Sequence, residues 1–172
     1  MSITEKARNI KLLILDVDGV LTDGKVVYAD SGEEWKFFDV RDGHGIKLLV
    51  RAGIDVAIIT GRYSRAVENR AADLGIKMVF QKALNKIEAY EEILRVKNLN
   101  DMEVSAIGDD LPDLPVLRRC GLSFAVPGSV EEVKEEVDCI TKREGGMGAV
   151  REACEIILKA QGLWEEVSTR YY

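Results

Sequence analysis

The chain has 172 residues, of which 47% are hydrophobic and 31% are charged, and its net charge is −6. This composition is typical of a globular domain and excludes a disordered chain. It also argues against a nucleic-acid-binding protein, because no cluster of Lys and Arg offers the positive surface that a phosphate backbone requires.

Neither export nor membrane insertion is expected. The N-terminal segment lacks the apolar core of a signal peptide, and no apolar run approaches the roughly 20 residues that span a bilayer. The three cysteines are widely spaced and odd in number, which argues against zinc sites and a disulfide framework. We therefore expect a cytoplasmic protein with reduced cysteines.

Short apolar runs alternate with helical patterns along most of the chain. The predicted strands, rich in Val, Ile and Leu, cover residues 11–15, 55–59, 78–80, 104–107, 122–125 and 138–140. The predicted helices cover residues 45–52, 64–74, 86–97, 111–120, 130–136 and 149–159, and Gly53, Gly75 and Gly121 are expected as left-handed C-caps. Strands that alternate with helices predict an α/β fold, a doubly wound Rossmann-like parallel sheet with helices on both faces.

Residues 21–40 interrupt this alternation. Two β-rich pieces, 25–29 and 34–38, flank the turn sequence Asp30-Ser31-Gly32, which predicts a β-hairpin inserted after the first strand. Apolar side chains occupy nearly every position of the hairpin, and an isolated hairpin is marginal in water. We expect an oligomerisation element, with packing on its own domain as the alternative.

The tail, about 161–172, carries several aromatic residues that we expect to dock on this subunit or on a neighbour. Without a repeat or a linker, the sequence predicts one domain spanning residues 1–172.

An acid pair follows the first predicted strand. Asp16 and Asp18 leave its carboxyl end, which is where ligands of open α/β sheets bind. Two carboxylates so close repel each other, and a divalent cation with a preference for oxygen ligands, such as Mg²⁺, would offset this repulsion. The alternative is a helix cap or a solvated turn.

Other strand ends also carry polar residues. The second strand ends in Thr60-Gly61-Arg62, which is either a phosphate clamp or a simple turn. Lys86 opens the helix after the third strand, where a cation opposes the helix dipole, so it is either an ordinary surface lysine or the partner of an anion or a carboxylate.

The fourth strand ends in an acidic cluster of Asp109 and Asp110 with Asp113 beyond. These carboxylates need a cation or cap the following helix, and Asp110 is suited to such a cap.

In chain order, the strand ends therefore carry DxDG, Thr-Gly-Arg, Lys and GDDxxD. This ordered set resembles the haloacid dehalogenase superfamily of phosphatases over roughly residues 10–140. The resemblance implies that Asp16 is the nucleophile and Asp18 the general acid/base. Thr60 would bind the phosphoryl group, and Lys86 would bind it and orient Asp16.

The same resemblance implies a magnesium site. Its ligands would be Asp16, the backbone carbonyl of Asp18, and Asp109, with Asp110 or Asp113 supporting them. Neither gap that could hold a cap domain is long enough for one, so a capless member is expected.

Three further stretches, GVLTDG at 19–24, FDVRDGHG at 38–45 and GGMGAVRE at 145–152, are similar to the branch of this superfamily that hydrolyses 3-deoxy-D-manno-octulosonate 8-phosphate. This closer resemblance covers nearly the whole chain. It implies a homotetramer built through the hairpins and a role in lipopolysaccharide sugar synthesis. The substrate contacts it implies are Asp18, Asp39, Val40, Arg41, Asp42, Gly43, Lys47, Arg62, Arg70 and Lys86.

Some of these assignments leave alternatives open. Arg62 and Arg70 are spaced to share an anion, but Arg70 and Lys47 also fit a solvated face. His44, the only histidine, is expected in a loop or an early helix without a catalytic role. The glycine-rich segment 144–148 is interpreted as a turn, with a role at a neighbour's site left open.

Three alternative functions remain for the chain as a whole. A response-regulator receiver domain also uses Asp, Thr and Lys, but in a different order along the chain. An inactive oligomerisation module of a sugar-activating system would need no catalytic residues, yet all are present. Within phosphatases, a nine-carbon keto-sugar 9-phosphate or another small sugar phosphate would suit the same residues.

Overall fold

The computed structural model describes all residues, 1–172, and contains a six-stranded parallel sheet and a separate two-stranded hairpin. The strands in chain order are β1 Leu12–Leu15, β2 Val27–Tyr28, β3 Glu34–Trp35, β4 Asp55–Ile59, β5 Met78–Phe80, β6 Val104–Gly108, β7 Leu122–Ala125 and β8 Cys139–Ile140. The large sheet has the order β5-β4-β1-β6-β7-β8, and β2 pairs with β3.

Eight α-helices and three short 3₁₀ helices accompany the strands. The α-helices are α1 Ile3–Ala7, α2 Val40–Arg51, α3 Arg65–Leu74, α4 Lys86–Lys97, α5 Leu114–Leu117, α6 Glu131–Lys134, α7 Ala149–Ala160 and α8 Trp164–Ser168. The 3₁₀ helices are Asp101–Glu103, Leu111–Asp113 and Thr169–Tyr171. None of the helices has the length and apolar composition needed to cross a membrane.

The sheet separates two hydrophobic layers, because successive strand residues point to opposite faces. In β1, Leu13 and Leu15 pack with α1, α2, α3, α7 and α8, whereas Leu12 and Ile14 pack with α4, α5 and α6. Helices therefore cover both faces, and the predicted doubly wound α/β fold is confirmed.

The strand order reverses beside β1. The chain moves outward from β1 through β4 to β5 and then returns to β6 on the other side of β1. Leu15 of β1 pairs with Ile107 of β6, so the residues that follow these two strands meet at the carboxyl edge of the sheet. A crevice at such a reversal is the usual ligand site of open α/β sheets.

The predicted start of α2 is wrong by five residues. The helix begins at Val40, and the Asp39 side chain accepts a hydrogen bond from the Arg41 amide at 2.6 Å as its N-cap. Gly45 weakens the helical pattern in the sequence, since glycine is a poor helix former. A Cβ atom there would lie 3.0 Å from Cα of Arg151, so the close approach of α7 explains the glycine.

The predicted helix 111–120 is also too long. A 3₁₀ turn and the four residues of α5 replace it, because Pro112 and Pro115 limit the available amide donors.

Gly53 and Gly75 have the expected left-handed conformation, with φ of 82° and 77°, whereas Gly121 does not. Its role is steric, because a Cβ atom at Gly121 would lie 2.6 Å from the Met102 carbonyl oxygen.

The hairpin is shorter than predicted. Its paired residues are Val27 with Trp35 and Tyr28 with Glu34. The turn is closed by a hydrogen bond from the Ala29 amide to the Glu33 carbonyl at 2.9 Å.

Both chain ends contain helices that the sequence patterns did not predict. Ser2 and Glu5 form a capping box for α1. The aromatic tail folds back as α8, with Val167 in the core and Trp164 beneath Arg151 and Lys159. The tail therefore docks on its own chain, although Tyr172 at its end is 98% exposed.

Candidate active site

Asp16 lies at the centre of a buried ion-pair cluster. It directly follows β1, and its amide donates a hydrogen bond to the Ile107 carbonyl at 3.1 Å. Lys86, the first residue of α4, places Nζ 2.5 Å from Asp16 Oδ1 and 2.5 Å from Asp113 Oδ1. All three side chains are buried. The carboxylate partner predicted for Lys86 is confirmed, and it is in fact a pair.

The cluster holds more negative than positive charge. Carboxylate oxygens of Asp16, Asp109 and Asp113 lie within 4.8 Å of one another, and Lys86 is the cation among them. Burial and the neighbouring Asp113 raise the pKa of Asp16 to about 7, although Lys86 opposes this. Burial and the nearby Asp113 and Asp110 raise the pKa of Asp109 to about 7. A further cation would relieve this repulsion.

The donor set fits Mg²⁺. It consists only of carboxylate oxygens, which hard divalent cations prefer. The Asp109 carboxylate has no hydrogen-bond or ion-pair partner in the protein, although the side chain is largely buried. Asp16 and Asp109 could therefore hold the ion, with Asp113 adjacent.

Asp113 and Asp110 have distinct structural roles in the loop after β6. Asp113 Oδ2 accepts hydrogen bonds from the amides of Asp109 at 3.0 Å and Asp110 at 3.2 Å, which fixes the loop beside the cluster. The exposed Asp110 accepts a hydrogen bond from the Leu111 amide at 2.7 Å and caps the 3₁₀ turn, as its sequence position predicted.

A tight loop carries Asp18 from the end of β1. The buried Thr22 hydroxyl donates to the Val17 carbonyl at 3.4 Å and accepts from the amides of Gly19 at 3.3 Å and Gly24 at 3.2 Å. These bonds close the loop on itself and leave the Asp18 side chain at its rim.

A polar pocket of about 260 Å³ opens above the cluster. It is lined entirely by charged, polar, Gly or Pro residues, namely Asp16, Asp18, Thr60, Gly61, Arg62, Lys86, Asp109, Asp110, Pro112 and Asp113. The buried Thr60 directly follows β4, and its carbonyl accepts a hydrogen bond from the Ala83 amide at 3.0 Å. The four predicted strand ends therefore meet in one pocket.

The hairpin contributes two charged residues, Glu34 and Lys36, that the sequence patterns did not indicate as part of the site. Lys36 forms ion pairs with Asp18 and with Glu34, and its side chain is only 2% exposed. Arg62 pairs with Glu34 and lies 3.6 Å from Asp18. The signal was the period-2 alternation in EEWKFF, in which Glu34 and Lys36 face Arg62 and Asp18 while the exposed Trp35 and Phe37 face away.

The remaining predicted substrate contacts do not line this pocket. They are Asp39, Val40, Arg41, Asp42, Gly43, Lys47 and Arg70, all of which lie on α2, its N-cap or α3. Arg70 donates to the Asp39 carbonyl at 3.1 Å and lies over the Phe38 ring, so the structure separates it from Arg62. The Arg70 Nε atom is buried without a partner. Lys47 and Val40 are exposed.

Asp42 is turned inward. Its carboxylate accepts hydrogen bonds from the amides of Arg151 at 2.8 Å and Gly148 at 3.3 Å, at the start of α7. Burial raises the pKa of Asp42 to about 6. His44, two residues further along α2, lies 3.0 Å from the Tyr171 hydroxyl and 3.1 Å from Arg151, outside the pocket.

Comparisons with known proteins agree with this geometry. A family model described as haloacid dehalogenase-like hydrolase matches residues 76–152. The 3-deoxy-D-manno-octulosonate 8-phosphate phosphatase KdsC of Escherichia coli K12 is 47% identical over 161 residues, which cover 94% of this chain and 86% of that protein.

Solved structures extend the likeness to the fold. The Moraxella catarrhalis 3-deoxy-D-manno-octulosonate 8-phosphate phosphatase, in complex with magnesium, phosphate and KDO, has a TM-score of 0.97 at 42% identity, covering 99% of this chain and 98% of that one. The Yersinia pestis phosphatase of the same name has a TM-score of 0.94 at 45% identity, covering 95% and 88%. The chain therefore belongs to the haloacid dehalogenase-like hydrolase family, as a capless member similar throughout to its 3-deoxy-D-manno-octulosonate 8-phosphate phosphatases.

Proposed function

We propose that this chain is a magnesium-dependent phosphatase that hydrolyses 3-deoxy-D-manno-octulosonate 8-phosphate to 3-deoxy-D-manno-octulosonate and phosphate. The observation that carries the proposal is the buried Asp16, paired with Lys86 at 2.5 Å beneath a wholly polar pocket. The name shared by its relatives, one of them solved with magnesium, phosphate and KDO, supports the substrate.

The first step uses Asp16 as the nucleophile. A carboxylate oxygen of Asp16 forms a bond to phosphorus while the bond from phosphorus to the sugar oxygen breaks. Asp18, at the rim of the pocket, gives its proton to the departing sugar alkoxide. Lys86 and Thr60 hold the phosphoryl oxygens, and bound Mg²⁺ would supply further stabilisation of their negative charge.

The second step returns the protein to its starting state. Asp18, now ionised, accepts a proton from water as the water oxygen bonds to phosphorus. The bond from phosphorus to Asp16 breaks, and inorganic phosphate leaves. Lys36 and Arg62 flank the Asp18 carboxylate and are suited to orient it between the two steps.

We also infer that the working form is a homotetramer assembled through the hairpins. Phe37 is 67% exposed and Trp35 52%, which is unfavourable for an isolated hairpin in water. No cap domain covers the pocket within one chain. Association would bury the apolar face of the hairpin and cover the pocket with a neighbour.

This arrangement would give a function to the predicted substrate contacts that do not line this chain's own pocket. The segment from Asp39 to Gly43, with Lys47 and Arg70, immediately follows the hairpin and lies outside this chain's own pocket. We propose that it completes a neighbour's pocket and binds the sugar acid there. The chain would act as one cytoplasmic domain, residues 1–172, in lipopolysaccharide sugar synthesis.

The test is phosphate release from 3-deoxy-D-manno-octulosonate 8-phosphate with Mg²⁺, beside a nine-carbon keto-sugar 9-phosphate and other small sugar phosphates. We expect phosphate release with a strong preference for the octulosonate. This release should be abolished in Asp16→Asn and retained in the exposed control Asp73→Asn. Broad activity that depends on Asp16 would contradict the substrate, and a preference for the nine-carbon sugar would replace it. No release from any of them would favour the inactive module.

A further inference from the structure

The glycine-rich segment 144–148 packs directly against the loop that follows the nucleophile. The Gly146 amide donates a hydrogen bond to the Val20 carbonyl at 2.9 Å. A Cβ atom at Gly146 would lie 2.6 Å from the Thr22 carbonyl carbon, so the two backbones are in contact along this stretch. The segment is therefore more than the simple turn that its sequence predicted.

Gly145 makes the closest of these approaches. A Cβ atom at Gly145 would lie 1.7 Å from the carbonyl oxygen of Gly19. On its other side, Gly19 is in contact with the pocket, since a Cβ atom at Gly19 would lie 1.9 Å from Oδ2 of Asp109. Gly19 has φ of +97° and is held between the Gly145 backbone and the Asp109 carboxylate.

The segment itself is anchored from the far side. The buried Asp42 on α2 accepts hydrogen bonds from the amides of Gly148 and Arg151. Arg41, also on α2, donates to the Met147 carbonyl at 3.1 Å. Because these bonds fix the segment, a side chain added at Gly145 would have to displace Gly19 rather than the segment.

We propose that Gly145 is a positioning residue for catalysis. Its missing side chain sets the place of Gly19, and Gly19 in turn sets the place of the adjoining Asp18 and of the Asp109 carboxylate across from it. Asp42 is a second positioning residue, because its hydrogen bonds fix the segment that carries Gly145. This inference rests on the proposed phosphatase function. It adds that a residue outside the pocket determines the positions of the catalytic groups.

The test compares Gly145→Ala with Gly121→Ala. Gly121 is a matched control, because its added Cβ would also meet backbone, 2.6 Å from the Met102 carbonyl oxygen, but away from the pocket. We expect Gly145→Ala to lower kcat at least tenfold with KM changed less than threefold, and to weaken Mn²⁺ binding followed by electron paramagnetic resonance. Gly121→Ala should lower the melting temperature without these effects.

A second variant covers the case in which Gly145→Ala does not fold. Asp42→Asn keeps the shape of the side chain and weakens the anchor, so we expect kcat to fall about threefold and Mn²⁺ binding to weaken. Equal kcat and Mn²⁺ affinity in Gly145→Ala and Gly121→Ala would overturn the inference, as would an unchanged Mn²⁺ affinity in Asp42→Asn. An inactive wild-type chain would instead refute the proposed function, so the two failures are distinguishable.

Discussion

At the scale of single residues, the site depends on one lysine that forms ion pairs with two buried acids. Lys86 Nζ contacts both Asp16 and Asp113, and burial acts against the charge of each group. Burial also opposes the charge of Lys86, but Asp16 and Asp113 outweigh it and raise the lysine pKa. The ammonium group is therefore retained at neutral pH, and it is both a structural and a chemical requirement of the pocket.

Lys86→Met should destabilise the fold as well as remove activity. It leaves Asp16 and Asp113 buried without a counter-ion, and breaking a buried ion pair in this way costs about 3 kcal/mol or more. Urea unfolding without Mg²⁺ measures the loss. Lys97→Met, which removes a partly exposed ion pair to Asp55 that is 2.7 Å long, should cost under about 1 kcal/mol. Equal losses in the two variants would contradict this assignment.

Asp42 should make stability depend on pH in a direction unusual for a carboxylate. Its folded pKa of about 6 lies above the ordinary 3.8, because the group is buried. Between these values the folded chain keeps a proton that the unfolded chain releases, so this contribution to stability is complete below about pH 4 and is lost as the pH rises through 6. The difference corresponds to at most about 3 kcal/mol.

Melting temperatures from pH 4 to 8 test this expectation. The wild-type chain should lose stability relative to Asp42→Asn as the pH rises from 4 to 6, and the difference should be constant above pH 7. A difference between the two proteins that does not vary with pH would show that Asp42 has an ordinary pKa.

At the scale of elements, the sequence predicted the strands well and the helix ends less well. Apolar runs such as Val104–Gly108 are bounded by polar residues, and their carboxyl ends meet because parallel strands share one direction. This geometry alone brought Asp16, Thr60, Lys86 and Asp109 together. The start of α2 was missed because Gly45 reflects contact with α7, a tertiary cause that local patterns do not contain.

The contacts between the hairpin and the site were likewise not predictable from local sequence patterns. Its presence followed from turn signals, but the ion pairs of Lys36 with Asp18 and Glu34 depend on how it folds over the pocket. Local periodicity indicates which hairpin residues share a face, and only the fold determines what that face contacts.

The apolar face of the hairpin should govern assembly. Trp35→Ser combined with Phe37→Ser removes two side chains that are exposed in the single chain, so we expect the tetramer to dissociate with little loss of fold. Sedimentation velocity measures the change, and phosphate release should fall with it. Val96→Ser, an exposed apolar residue on α4, is the control and should remain tetrameric. Tetramers of the double variant would place the interface elsewhere.

At the scale of the whole molecule, cation binding should stabilise the fold. An ion that binds only the folded chain adds about 2.7 kcal/mol at one hundred times its dissociation constant. For a chain of this length that corresponds to a rise in melting temperature of roughly 5 to 10 °C. We expect this rise with Mg²⁺ and its loss in Asp109→Asn, followed by differential scanning fluorimetry. An undiminished rise in the variant would exclude Asp109 as a ligand.

The proposed mechanism requires a phosphoryl group carried by Asp16. Acid quenching during turnover of 3-deoxy-D-manno-octulosonate 8-phosphate, followed by peptide mass spectrometry, detects such an intermediate directly. We predict one phosphoryl group on the peptide that contains Asp16, present in the wild type and in Asp73→Asn and absent in Asp16→Ala. Turnover without a phosphorylated peptide, together with activity retained in Asp16→Ala, would contradict the mechanism.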